Sequence, residues 1–465
     1  MSRFAAGAVV LLLGVVAARC GPGEAQPVRE AAGRLAFVGV HVVPMTSDVV
    51  LRSHTVLIEE GRIARVGPQD SVSLPAGARV VRAAGRYLVP GLVDFHVHLR
   101  AESELDSYLR HGVTTVAALR GTETVLGIRE RVRSGALAGP RILTAGPLID
   151  GEPPIWPGAG TRVVTNVEEA RAAAEEHCRA GYELLKVYNN LQPDLLAGIV
   201  DRAHGCGLPV FAHLPRTPIR RAGLTRALAA GVDAIAHGEE IYFTHLGGGS
   251  DPEIDQGRKP VADADIDSAV AAIREAGAYV IPTLSFIAMT ARMLEDADGV
   301  FADESFPRLA PEVQQLWRSQ NPARRPDVEV FARRERVKRA AVMTLTARLQ
   351  AAGVPLLLGT DASGPGLFPG RSAHLELEEL VRAGLTPYEA LSAGTRTAGR
   401  FLERFRRTRG PESGAASPPG TIEPGRAADL ILLRENPLED VRHLETIEGV
   451  AVAGRWTPVG TLEQR

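Results

Sequence analysis

Six polar residues carry side chains suited to one kind of chemistry, and each lies within or at the end of a short apolar run. They are His96 and His98 in VDFHVHL, Lys186 in ELLKVYNN, His213 in VFAHLP, His237 in AIAHGEE and Asp361 in LLLGTDAS. Side chains alternate along an extended chain, so His96 and His98 share a face and Val97 takes the other. Taken singly, each residue has an ordinary explanation. A histidine after an apolar strand is commonly a hydrogen-bonded structural residue. A lysine there reaches for solvent, and an aspartate after Gly-Thr caps a helix. Together they read as a metal-binding set, because neutral imidazoles and carboxylates suit Zn²⁺ or a related divalent ion and leave positions for water.

Lys186 is the odd member, since an ammonium repels a cation. Burial among Leu184, Leu185 and Val187 favours the neutral amine, which can add CO₂ and become an anionic carbamate. Such a two-oxygen group can bridge two ions about 3.5–4 Å apart, the spacing of binuclear hydrolytic sites. Asp94 shares strand parity with the two histidines but lies two residues deeper, and reads as a residue that supports ligands rather than being one.

These residues need strands to position them. Apolar runs fall at 92–95, 114–119, 141–145, 184–187, 210–212, 234–236, 279–283 and 356–360. Helical patterns such as NVEEARAAAEEHCRAG and DLLAGIVDRAHGCG separate most of them. The alternation predicts an α/β fold, a (β/α)₈ TIM barrel over 89–407 with its chemistry at the C-terminal strand ends. Strand-like stretches at 33–88, where EEGRIARVG reads as a hairpin arm, and at 420–465 predict a small composite β-sandwich domain formed by both terminal segments. A Gly/Pro/Ser-rich linker, 408–419, leads back into it. Residues 286–339 are too long for a simple connection and read as a lid over the site.

At 465 residues, with 45% hydrophobic and 23% charged side chains, the chain has room for a barrel and a smaller domain. Its formal net charge of −2 and lack of a Lys/Arg block argue against a nucleic-acid partner. Arg3 followed by the apolar run 4–18 predicts a signal peptide over 1–25 and export to the periplasm or beyond. A membrane tether would require lipidation of Cys20, and Arg19 is a poor residue to precede a lipidated cysteine. Only Cys178 and Cys206 lie further on. Two cysteines without zinc spacing read as separate core or surface thiols.

The chain resembles the metal-dependent amidohydrolase superfamily, in the subgroup with a carboxylated lysine and a binuclear centre, with an imidazolonepropionase-like and prolidase-like flavour. VPGLVDFHVHL is similar to the entry into the family barrel, and GTIEPGRAADLILL to its return into the sheet domain. The resemblance implies that His96, His98 and Asp361 surround one divalent ion, and that His213 and His237 bind a second. Lys186, as a carbamate, would bridge both, and zinc is the expected metal. It further implies that a water shared by the ions attacks as hydroxide and that Asp361 passes its proton to the leaving nitrogen. Arg120, Tyr188, Tyr242 and His245 are candidate contacts to a small-molecule substrate. Arg120 would act as a fork for a carboxylate; packing, ion-pair or surface roles are the alternatives for all four. Arg216 and Arg371 are weaker candidates, and His374 is read with the remaining histidines as structural. The expected reaction is hydrolysis of an amide or peptide bond in a dipeptide or N-acyl amino acid. Cyclic amides, lactones or organophosphates are the alternative substrates, and a non-catalytic binding protein on the same fold is the alternative class. Homo-oligomerisation is left open.

Overall fold

The two ends of the chain meet in one sheet. The computed structural model describes residues 33–216, 222–408 and 417–462. The expected signal peptide, Cys20 and most of the 408–419 linker lie outside the described residues. Five strands come first: β1 (Leu35–Val42), β2 (Leu51–Glu59), β3 (Arg62–Pro68), β4 (Arg79–Arg82) and β5 (Tyr87–Pro90). Glu60 and Gly61 both take positive φ, 50° and 75°, in the two-residue turn that joins β2 to β3, as a tight hairpin requires.

Nine strands follow: β6 (Leu92–Val97), β7 (Val113–Ala118), β8 (Arg141–Thr144), β9 (Leu148–Asp150), β10 (Thr161–Val163), β11 (Leu185–Val187), β12 (Val210–Ala212), β13 (Ala234–Ala236) and β14 (Tyr279–Ile281). The chain ends with β15 (Leu430–Leu433), β16 (Ile447–Val452) and β17 (Arg455–Pro458). The terminal sheet runs β17-β16-β15-β5-β1-β2-β3, with β4 also paired to β1. The sandwich expected from the sequence is thus one continuous sheet branched at β1. Its own core includes Phe37, Val56, Ile58, Leu88, Leu430 and Leu432.

The strands of the middle segment are parallel. β6, β7 and β8 pair in order, and β11, β12, β13 and β14 pair in order. Ala145 bridges Leu184, which joins the two groups, and Leu356 bridges Val280 at the far side. The return to β6 is made by backbone hydrogen bonds from Phe95 N to Leu358 O and from Asp361 N to His96 O, each 2.8 Å. The eighth apolar run, 356–360, is therefore in the expected place but is not a regular strand, since only isolated bridges hold it. Gly359 makes the close approach workable: a Cβ there would sit 2.4 Å from Ile281 Cγ2 and 3.0 Å from His96 Cβ. Phe95, Phe211 and Phe401 stack edge to face or in parallel at 5.3–6.1 Å. Phe401 comes from the helix Arg396–Thr408, which brings that helix against the strands' interior side chains.

Two expectations need correction. Cys178 and Cys206 are not separate thiols; they form a disulfide with Cα atoms 6.3 Å apart. They end the consecutive helices Val167–Arg179 and Pro193–Gly205. Helices of successive βα units run side by side in the same direction, so their C-terminal ends meet. The small strands β9 and β10 fall in a region where the sequence reading placed no strand. The long segment after β14 folds as the helices Leu284–Glu295, Pro311–Ser319 and Val328–Ala351 joined by short turns. Its buried Trp317 packs on Phe368 and donates from Nε1 to Ser363 O at 3.0 Å, so it covers the loop that follows Asp361.

Candidate metal centre and active site

The strand ends gather the predicted histidines into a row. Ring centroids lie 5.4 Å apart for His98 and His96, 4.4 Å for His96 and His237, and 4.8 Å for His237 and His213. At one end of the row Asp361 Oδ1 lies 2.8 Å from His98 Nε2 and 3.4 Å from His96 Nε2. His96, His98 and Asp361 place one ligand atom each within 4.8 Å of one another, a triad able to hold a divalent ion. Asp361 reaches it by turning out of the extended segment with φ 63°. Asp94 lies beneath: its Oδ1 accepts from His96 N at 3.0 Å, and its Oδ2 accepts from Thr360 Oγ1 at 2.7 Å. It supports the loop that carries Asp361 and does not join the triad.

Lys186 projects from β11 and is 1% exposed. Its Nζ has no hydrogen-bond partner among the described residues, and neither does His96 Nδ1. Burial lowers the Lys186 amine to about 7, against the opposing pull of the Asp361 and Glu240 charges. Burial also pushes His96 and His237 well below their ordinary value, so both are neutral imidazoles able to ligate. Asp361 goes the other way. Burial opposes its ionisation, but the contact with His98 outweighs it and holds its carboxyl at about 2. Buried, unpartnered donors and acceptors are costly, and this set matches what divalent ions would satisfy.

The other end of the row is held from behind. His237 Nδ1 lies 3.1 Å from Thr283 Oγ1. His213 Nδ1 lies 2.9 Å from Asn189 Nδ2 and 3.2 Å from Glu240 Oε1. In both rings the Nδ1 edge is engaged, so Nε2 is the nitrogen left for a ligand. Glu240 is fully buried and clasped by Arg216. Burial alone would raise the Glu240 carboxyl, but its contacts with His213 and Arg216 keep it far below the usual range. The sequence reading missed Glu240, Asn189, Thr283 and Thr360. The first two lie inside the quoted motifs, three residues after His237 and Lys186 respectively, and that spacing was the available signal.

Among the candidate substrate residues, two converge on the row. Tyr188 packs on His213 with centroids 4.3 Å apart, and its hydroxyl accepts from Trp156 Nε1 at 2.8 Å. Arg120 lies over the Trp156 ring at 5.9 Å, and no acidic side chain pairs with it among the described residues. Tyr242 and His245 are placed elsewhere. Tyr242 is buried with its hydroxyl donating to Ile254 O at 3.2 Å, which makes it a core residue. His245 Nε2 lies 3.3 Å from Ser268 Oγ. Arg216 is committed to Glu240 and Arg371 to Asp303, while His374 Nε2 bonds His111 O at 2.9 Å.

The amidohydrolase family profile matches residues 87–457, and the chain belongs to that family, whose members typically use divalent metals. It is a hydrolytic enzyme acting on carbon–nitrogen bonds, with a TIM-barrel-like α/β fold. The chain is 23% identical to the ochratoxinase of Aspergillus niger over 87% of this chain and 82% of that protein. Among solved structures it is similar to a putative prolidase from Bifidobacterium longum (26% identity, TM-score 0.69, covering 93% of this chain and 99% of that one). It also shares its fold with a Xaa-Pro dipeptidase with bound methionine (20% identity, TM-score 0.68, covering 92% and 100%).

Proposed function

We propose that the protein is an exported, prolidase-like amidohydrolase that cleaves the amide bond of a dipeptide or N-acyl amino acid. The observation that carries this is the row of His98, His96, His237 and His213 with Asp361 at one end, together with the buried, unpartnered Lys186 Nζ. In this reading the ring of parallel strands is a complete (β/α)₈ barrel, and the terminal sheet is a composite domain beside it. His96, His98 and Asp361 would hold one divalent ion and His213 and His237 a second, zinc being the first candidate. Lys186 would bridge them as a carbamate, which its lowered basicity favours. Bound ions would supply Lewis-acid polarisation of the scissile carbonyl and of the attacking water.

The residues of the chain supply the rest. Asp361, ionised and aimed at the row, takes the proton of the attacking water and returns it to the leaving nitrogen as the C–N bond breaks. Its low pKa keeps it in the accepting form across the neutral range. Arg120, cationic and without an acidic partner, suits a carboxylate on the substrate, and Trp156 with Tyr188 forms an aromatic wall between Arg120 and His213. Export draws support from the Cys178–Cys206 disulfide, a bond that persists in oxidising compartments, together with the apolar run 4–18.

A screen of purified, zinc-loaded protein against dipeptides and N-acyl amino acids, with lactones and phosphotriesters alongside, tests the reading. Turnover confined to carboxylate-bearing amides is expected. Turnover confined to lactones or phosphotriesters would replace the substrate class, and metal content near zero after loading would remove the hydrolytic centre.

A further inference from the structure

We infer that Glu240 is a positioning residue of this centre: it fixes the tautomer and orientation of His213, so that Nε2 alone is presented to the second ion. The inference rests on the binuclear reading above and adds a part that the six-residue set does not contain. A count of hydrogens leads to it. The Asn189 amide nitrogen carries two hydrogens, and it has acceptors in Leu214 O at 2.9 Å and Glu240 Oε2 at 3.1 Å. Its approach to His213 Nδ1 at 2.9 Å competes with those two acceptors for the same pair of hydrogens. Glu240 Oε1 lies 3.2 Å from the same Nδ1, and an ionised carboxylate only accepts. A bare Nδ1 would set lone pair against lone pair. A protonated Nδ1 donates to Oε1 and leaves Nε2 with the free pair a metal needs.

The rest of the carboxylate is equally occupied. Arg216 Nε donates to Oε2 at 3.0 Å and the Arg216 terminal nitrogen reaches Oε1. With Asn189 and His213, four donors fill the acceptor positions that an ionised carboxylate offers. Arg216 is itself stacked on Phe243 at 4.4 Å. The helix Gly238–Thr244, which carries Glu240, is anchored a second time through Glu239. That side chain accepts from the buried Lys338 at 2.6 Å, and Lys338 also pairs with Glu335 at 2.8 Å. Glu240 therefore acts on His213 from a fixed platform. It touches neither substrate nor reacting atoms.

Glu240→Gln keeps the volume but replaces one acceptor oxygen with a donor. Metal titration of wild type and variant, read by mass spectrometry of the intact protein, should give two zinc ions for wild type. In the variant the second ion should bind about 10- to 100-fold more weakly, with the first ion unchanged. Nitrogen-15 NMR of the metal-free wild type should show His213 protonated on Nδ1, and this readout does not depend on the variant folding. Wild type that binds one ion overturns the binuclear reading, and this proposal with it. Two ions in wild type and unchanged affinity in Glu240→Gln, or an Nε2-protonated His213 in the wild type, overturns the role of Glu240 alone.

Discussion

At one end of the histidine row His96, His98 and Asp361 hold one another; at the other, His213 and His237 are each held from behind. The first end is a finished triad, its ligand atoms already within 4.8 Å. The second end offers two imidazoles, backed by Glu240 with Asn189 and by Thr283, and lacks a charged ligand of its own. Lys186 is buried with an unpartnered amine. The contrast teaches that the two subsites differ in what completes them. In the proposed binuclear reading the first would need only an ion, and the second would also need Lys186 in an anionic form. Loading in two steps is expected, with the triad filled first.

Removing Lys186 should have the largest effect, because it breaks the second subsite and leaves the first. Lys186→Ala should retain one ion and lose second-ion binding, with kcat down by about 10³-fold or more, a loss on the order of 4 kcal/mol in barrier. Metal analysis and steady-state kinetics on one preparation check both halves. A variant with two ions and wild-type turnover would remove the bridging role. Asp361→Asn probes the opposite end. It should keep metal while lowering kcat by roughly 10²- to 10⁴-fold, the range for a general acid–base group, and unchanged kinetics would end its assignment to proton transfer.

The contrast between the two ends also explains what the sequence made legible. Each proposed ligand follows or ends an apolar run, and strand periodicity with residue type is what singles out His96, His98, Lys186, His213, His237 and Asp361 in the sequence. Periodicity carried no such message for Glu240, which lies on the short helix Gly238–Thr244 rather than on a strand. On a helix, residues two apart do not share a face. Glu240 points at His213, and Tyr242 accordingly points to Ile254 O and packs in the core. The eighth run was located by its hydrophobicity, but hydrophobicity does not reveal that it pairs through isolated bridges. The disulfide escaped because its half-cystines are separated by 28 positions and come together only when neighbouring helices align.

The metal-free protein sharpens the comparison at Lys186. Burial lowers Lys186 from 10.5 to about 7, so between about pH 7 and 10.5 the unfolded chain holds a proton that the folded chain has released. Stability of the metal-free protein should then rise with pH through that window, and this contribution should flatten below about 7, where both states are protonated. Lys186→Met should remove the slope and stabilise the metal-free fold at neutral pH, by at most roughly 5 kcal/mol from about 1.4 kcal/mol per pKa unit. Urea melts from pH 6 to 10 on metal-free wild type and variant provide the measurement. The same slope in both would place the proton elsewhere.

Arg120 should give the smallest effect, and it bears on the second end of the row, since the Trp156–Tyr188 wall leads from it to His213. An interaction between its guanidinium and a substrate carboxylate is worth about 1.5–3 kcal/mol, a factor of about ten to a hundred. Arg120→Ala should therefore lower kcat/KM by that factor, mainly through KM, for substrates that carry a free carboxylate. The same substrates with the carboxylate amidated should react alike in wild type and variant. Equal losses on both series would mean that Arg120 supports the wall through Trp156 and does not meet the substrate. In that case carboxylate selectivity, if the screen shows it, has to come from the triad end of the row.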